Sequence, residues 1–139
     1  MKKLSLVYAT KTNHSKKIAQ AVSDVLNVRA NNIKDNPVLD ETDILFLIGG
    51  IYGGESLPGF IEYVKKIDKE KVKSVALITS CTSKKQSQKT IRKILEDKGI
   101  PVVDEFICSG SFLILKMNHP NDKDIQAAIQ FAAGVVQGK

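Results

Sequence analysis

"DILFLIGGIYGGESLPGFIEYV", residues 43–64, reads as a strand, a glycine-rich turn and a helix in succession. Its opening "DILFLIGG" (43–50) sets five apolar residues between an acid and two glycines. An apolar run with no polar alternation is a strand covered on both faces, the usual state of a strand in a parallel sheet. "GGIYGGES" (49–56) then changes the composition to a glycine-rich turn. "LPGFIEYVKKI" (57–67) reads as a helix, with Pro58 in its first turn, where a missing N–H is no loss.

The same alternation extends in both directions. Upstream, "KLSLVYA" (3–9) is another buried strand. From Ser15 to Leu26, Ile18, Ala19, Val22, Val25 and Leu26 recur at helical spacing with lysines opposite. "NVRAN" (27–31) is a short, weak strand. Downstream, "SVALITS" (74–80) is a strand and "SQKTIRKILEDKG" (87–99) a helix that stops at Gly99. "PVVDEFICSG" (101–110) is the fifth strand, with Asp104 and Glu105 marking a bulge or break. "NDKDIQAAIQFAAGVVQ" (121–137) is the last helix, N-capped by Asn121 or Asp122. Five strands alternating with helices predict an α/β fold, a parallel sheet with helices on both faces, in one domain over residues 1–139. Ligands of such sheets bind beyond the carboxyl ends of the strands. That singles out residues 10–15, 49–56 and 80–86.

The first of these loops is "TKTNHS" (10–15). The hydroxyls of Thr10, Thr12 and Ser15 can converge on one point, beside the free N–H groups of a helix start. They suit either a phosphate or a simple helix cap by Thr12 or Asn13. There is no GK[ST], so this is not a Walker A loop. In the second loop, Gly49, Gly50, Gly53 and Gly54 let the backbone approach a flat ligand, and Tyr52 between them is placed to stack on a ring. The third, "SCTSKKQS" (80–87), is small and polar, suited to backbone hydrogen bonds with a ring edge. Cys81 lacks the arginine six residues on that a phosphatase loop needs, since that residue is Ser87, and it reads as a small filler.

The 139 residues carry 21 Lys and Arg against 15 Asp and Glu, a net charge of +6. The lysines are spread over several segments (Lys16 and Lys17, Lys65 to Lys73, Lys84 to Lys93) without interleaved aromatics, so no nucleic-acid partner is expected. No apolar run is long enough to cross a membrane, and "MKK" runs directly into a strand, so neither membrane association nor a signal peptide is expected. Cys81 and Cys108 have no metal-ligand spacing and suit reduced thiols in the cytoplasm.

With its three loops in this order, the chain resembles the short-chain flavodoxins over nearly its whole length. The family's phosphate loop, [ST]-x-T-G-x-[ST], reads here Thr10-Lys11-Thr12-Asn13-His14-Ser15. "KKIAQAV" resembles the start of the helix that follows, and "DILFLIGGIYGGESLPGFIEYV" the third strand, second flavin loop and next helix. "EFICSG" and "NHPNDKDIQAAIQFA" resemble the C-terminal part of a subgroup with a His-Pro pair, here His119-Pro120, before the last helix. The resemblance implies a flavodoxin-like sandwich with strand order 2-1-3-4-5, non-covalent FMN, and transfer of one or two electrons between redox partner proteins. It implies that Thr10, Lys11, Thr12, Asn13, His14 and Ser15 hold the phosphate. Gly49, Gly50, Ile51, Tyr52, Gly53 and Gly54 would line the isoalloxazine, with Ser80, Cys81, Thr82 and Ser83 at its pyrimidine edge. No catalytic residue and no metal ligand is assigned.

Three departures from the family pattern are specific. Asn13 replaces the usual glycine, in a turn where asparagine tolerates a left-handed backbone. The 80s loop has no aromatic to cover the outer ring face, and the chain is basic where the family is commonly acidic. The open loop keeps a flavin-dependent reductase or oxidase as an alternative. Asn13 and the charge keep a third reading, a domain without flavin that acts through protein contacts.

Overall fold

The computed structural model describes residues 2–10, 14–52, 55–81, 88–109 and 122–138. The strands are β1 (Leu4–Tyr8), β2 (Ala30–Asn32), β3 (Ile44–Tyr52), β4 (Glu55–Ser56), β5 (Val75–Cys81) and β6 (Val102–Ser109). The helices are α1 (His14–Leu26), α2 (Pro58–Lys65), α3 (Lys89–Lys98) and α4 (Asp122–Gln137), with a short 3-10 turn at Ile33–Asp35.

The sheet runs β2-β1-β3-β5-β6, all parallel. This is the expected order once the two-residue β4 is passed over. β4 is the departure from an all-parallel sheet of five strands. β3 continues to Tyr52, past the expected end at Gly50, and Ile51 and Tyr52 pair antiparallel with Ser56 and Glu55. Only Gly53 and Gly54 separate these pairs, the composition that two-residue hairpin connections favour. β2 is shorter than expected and begins at Ala30, after Asn27 has turned the chain in a left-handed conformation (φ 57).

Alternation along the central strands feeds two cores. Leu6, Tyr8, Phe46, Ile48, Ala76 and Ile78 pack under α1 and α4, against Ile18, Ala19, Val22, Ala128 and Ala132. Val7, Leu45, Leu47, Val75 and Leu77 pack under α2 and α3, against Phe60, Val64, Ile91 and Leu95. Val25, placed by its spacing on the buried stripe of α1, is 51% exposed instead, because the stripe runs to one side of it. The helix ends follow local chemistry: Pro58 opens α2, and Gly99 closes α3 in the left-handed conformation (φ 82). The expected cap of α4, Asn121 or Asp122, lies outside the described side chains.

β6 carries the expected bulge. Val75 pairs with Val102 and Ala76 with Asp104, so Val103 is the extra residue, and it is 52% exposed. One inserted residue reverses the alternation beyond it. Glu105 therefore faces α3, where it bonds Arg92, and Phe106 faces α4, stacking on Phe131 with centroids 5.6 Å apart.

Candidate functional site

β1, β3 and β5 end side by side. Tyr8 pairs with Ile48 and Gly50 with Ser80, and the Ala9 N–H donates to the Ile48 carbonyl at 2.9 Å. Thr10, Gly50 to Tyr52, and Ser80 to Cys81 therefore meet at one end of the sheet, as the three-loop reading expects. α1 starts at His14, so its unpaired N–H groups lie at this same end.

Two hydroxyls are distinctive. Ser15 is fully buried, and the Thr10 Oγ1 atom is also shielded from water. Neither makes a hydrogen bond among the described residues. A buried polar group without a partner costs about 1–3 kcal/mol, so a chain normally satisfies it or replaces it. Two at one strand-to-helix turn suit an anionic guest that accepts from both. Its charge would also be favoured by the helix dipole. No acidic residue stands in the first turn of α1, where one would compete for that position.

Gly49 and Gly50 differ in what they serve. A Cβ on Gly49 would lie 2.6 Å from Phe60 Cε2 and 3.4 Å from Gln88 Oε1, so its side is filled by the core under α2. The absence of a side chain there is a packing requirement. Ile51 is buried. Ser80 is half-buried, and Cys81 ends β5. Lys11, Thr12, Asn13, Gly53, Gly54, Thr82 and Ser83 lie outside the described residues, as do the side chains of His14, Tyr52 and Cys81.

Sequence reasoning missed a buried polar group behind the site. Gln88, fully buried, stands just before α3 and donates from Nε2 to Thr79 Oγ1 at 2.9 Å. Its backbone N–H donates to Glu105 Oε2 at 3.3 Å, and Arg92 Nη2 donates to Glu105 Oε1 at 3.0 Å. The signal was Glu105 itself, a carboxylate inside an apolar strand. In the sequence it marks, with Asp104, a bulge or break; the parity reversal at Val103 is what turns it inward. Among the described residues no group of three His, Cys, Asp or Glu side chains could hold a metal ion. No helix among them is long and apolar enough to cross a membrane.

The profile of the flavodoxin domain family matches residues 5–126. The chain belongs to the flavodoxin domain family. It is 30% identical to an uncharacterized protein of Methanocaldococcus jannaschii, over 99% of both chains. Among solved structures it resembles a flavodoxin from the domain Archaea, with TM-score 0.66 and 14% identity over 97% of each chain. It also resembles the rubredoxin:oxygen oxidoreductase of Desulfovibrio gigas, with TM-score 0.71 and 13% identity. That match covers 98% of this chain but only 35% of the oxidoreductase. A third likeness is to an NAD(P)H:quinone oxidoreductase of Methanothermobacter marburgensis, with TM-score 0.60 and 8% identity over 97% of this chain and 96% of that one. At these identities the structural likenesses establish the flavodoxin-like fold.

Proposed function

We propose that this protein binds FMN without a covalent link and carries electrons between redox partner proteins. The observation that carries the reading is a pair of buried hydroxyls, Thr10 Oγ1 and Ser15 Oγ, that make no hydrogen bond among the described residues, at the turn where the family places its phosphate. They fit a phosphate monoester: both can donate to its oxygens, and the α1 N-terminus favours its charge. Thr12, Asn13, His14 and the Lys11 backbone are proposed to complete the cradle.

The ring is assigned to the end of β3 and β5. Gly50, Gly53 and Gly54 carry no side chain to hold it off, Tyr52 is the candidate to cover one face, and residues 80–83 are candidates for its pyrimidine edge. When bound, the flavin supplies one- or two-electron transfer, and the chain contributes binding, orientation and local charge. The redox partner is proposed to be acidic. Lys16 and Lys17 in α1 and Lys89 in α3 are exposed near helix N-termini, where the dipole disfavours cations. Their cost is offset if they face an anionic surface.

A second reading is a flavin-dependent reductase, favoured by the 80s loop, which has no aromatic to shield the ring from a small substrate. The test is to identify any co-purifying flavin by mass spectrometry, then assay NAD(P)H with a quinone. A carrier holds FMN and turns over only when a partner reductase is added. Turnover without a partner supports the reductase, and a protein that neither co-purifies with flavin nor takes it up contradicts both.

A further inference from the structure

We propose that Gln88 and Glu105 are positioning residues of the ring end of the site, clasping the β3–β4 hairpin to the ends of β5 and β6. The inference rests on the flavin reading above. Gln88 reaches every element concerned. Its Nε2 donates to Thr79 Oγ1 at 2.9 Å and to the Ile78 carbonyl at 3.4 Å, both on β5. Its Oε1 accepts from Ser56 Oγ on β4 at 3.5 Å and lies 3.4 Å from where a Cβ of Gly49 would stand on β3. Its backbone N–H is held by Glu105 on β6, which also accepts from Thr79 Oγ1 at 3.5 Å. A second tie runs parallel to it: Thr90 Oγ1 of α3 donates to Glu55 Oε2 of β4 at 2.8 Å.

The anchor points are adjacent to the proposed ring contacts. Gly49 precedes Gly50, Thr79 precedes Ser80, and Ser56 lies two residues after Gly54 in the chain. A buried glutamine amide and a part-buried carboxylate cost desolvation here that an apolar pair would avoid. What a satisfied polar network contributes instead is one fixed geometry. Here that geometry sets the spacing between the two segments assigned to the ring. The bulge at Val103 is part of the device, because without the parity reversal Glu105 would face α4. Among the described residues the network makes no hydrogen bond to Thr10 or Ser15, so ring end and phosphate end are separable.

The test uses Gln88→Met, which keeps the volume and removes both the donor and the acceptor. Its folding is checked by circular dichroism and thermal unfolding, and FMN and riboflavin affinities and the flavin midpoint potential are compared with wild type. The clasp predicts that both dissociation constants rise by the same factor, about tenfold, near the worth of one net hydrogen bond. The FMN-to-riboflavin ratio stays constant and the potential moves. Unchanged affinities and potential in a wild type that binds FMN overturn the clasp alone, as does a loss confined to the phosphate contribution. A wild type that binds no flavin removes the flavin reading instead. Hydrogen exchange of the apo-protein then decides whether Gln88 joins these segments. Faster exchange at residues 47–52, 55–56 and 79–81 in Gln88→Met supports it, and an unchanged pattern ends it.

Discussion

Ser15 carries the phosphate reading in a single hydroxyl. Its hydroxyl is buried and makes no hydrogen bond among the described residues, so removing it is expected to have opposite signs in the two states. Ser15→Ala should raise the stability of the apo-protein in urea by about 1 kcal/mol, the low end of the cost of an unsatisfied buried group. The same variant should weaken FMN binding about ten- to hundredfold, the worth of a hydrogen bond to a charged acceptor. An apo-protein that is destabilised shows that Ser15 already has a partner. A different residue, Asp43, reports on the far end of the sheet. It accepts the Lys3 N–H at 2.8 Å and faces Lys73 at 3.3 Å. The Lys3 amide chiefly, and Lys73 after it, hold its pKa below the ordinary 3.8, against the opposing effect of desolvation. A depressed carboxylate stabilises the fold above its unfolded pKa and loses that contribution as pH falls through the folded value. Asp43→Asn should therefore be less stable than wild type at pH 7, with the difference closing below the carboxylate range. A gap that persists at pH 2 contradicts this assignment. The candidate hydroxyls were legible because hydroxyls at a strand-to-helix turn have few uses. Gln88 was not legible, because a glutamine before a lysine-rich helix looks like surface.

At the scale of elements, the strands and helices were readable because both cores depend on simple periodicities. β4 was hidden inside what read as a glycine-rich loop, since two residues are too few to show alternation. Gly49 shows how a single motif can mix purposes. Four glycines suggested one role, close approach to a ligand, yet Gly49 is set by the Phe60 ring beneath it. Gly49→Ala should destabilise the protein by about 1–3 kcal/mol, as overpacking does, and Phe60→Leu should recover part of that loss. Thermal unfolding of the single and double variants measures both. An alanine tolerated without loss shows that the ring yields, and Gly49 would return to the list of residues kept for a ligand.

For the whole molecule, parallel strands, right-handed crossovers and three loops at one end left few architectures, so topology followed from pattern. The net charge of +6 gave no comparable information, because lysines stand on every side of the sequence and partners are set by where they lie. The exposed Lys16, Lys17 and Lys89 near helix N-termini at the site end make a specific expectation. If the proposed acidic redox partner docks there, electron exchange with it should slow steeply as salt rises from 0.01 to 0.15 M, where screening contracts from about 30 to about 8 Å. Stopped-flow rates over that range test it, and a rate indifferent to salt removes the charged docking face. The proposed function depends first on FMN binding at the site end of this flavodoxin-domain protein. It is tested most directly by titrating FMN into the purified apo-protein while following flavin fluorescence and the melting temperature. Quenching that saturates at one flavin per chain is expected, with a melting temperature that climbs with FMN; free-flavin fluorescence throughout, with no thermal shift, removes the flavin reading.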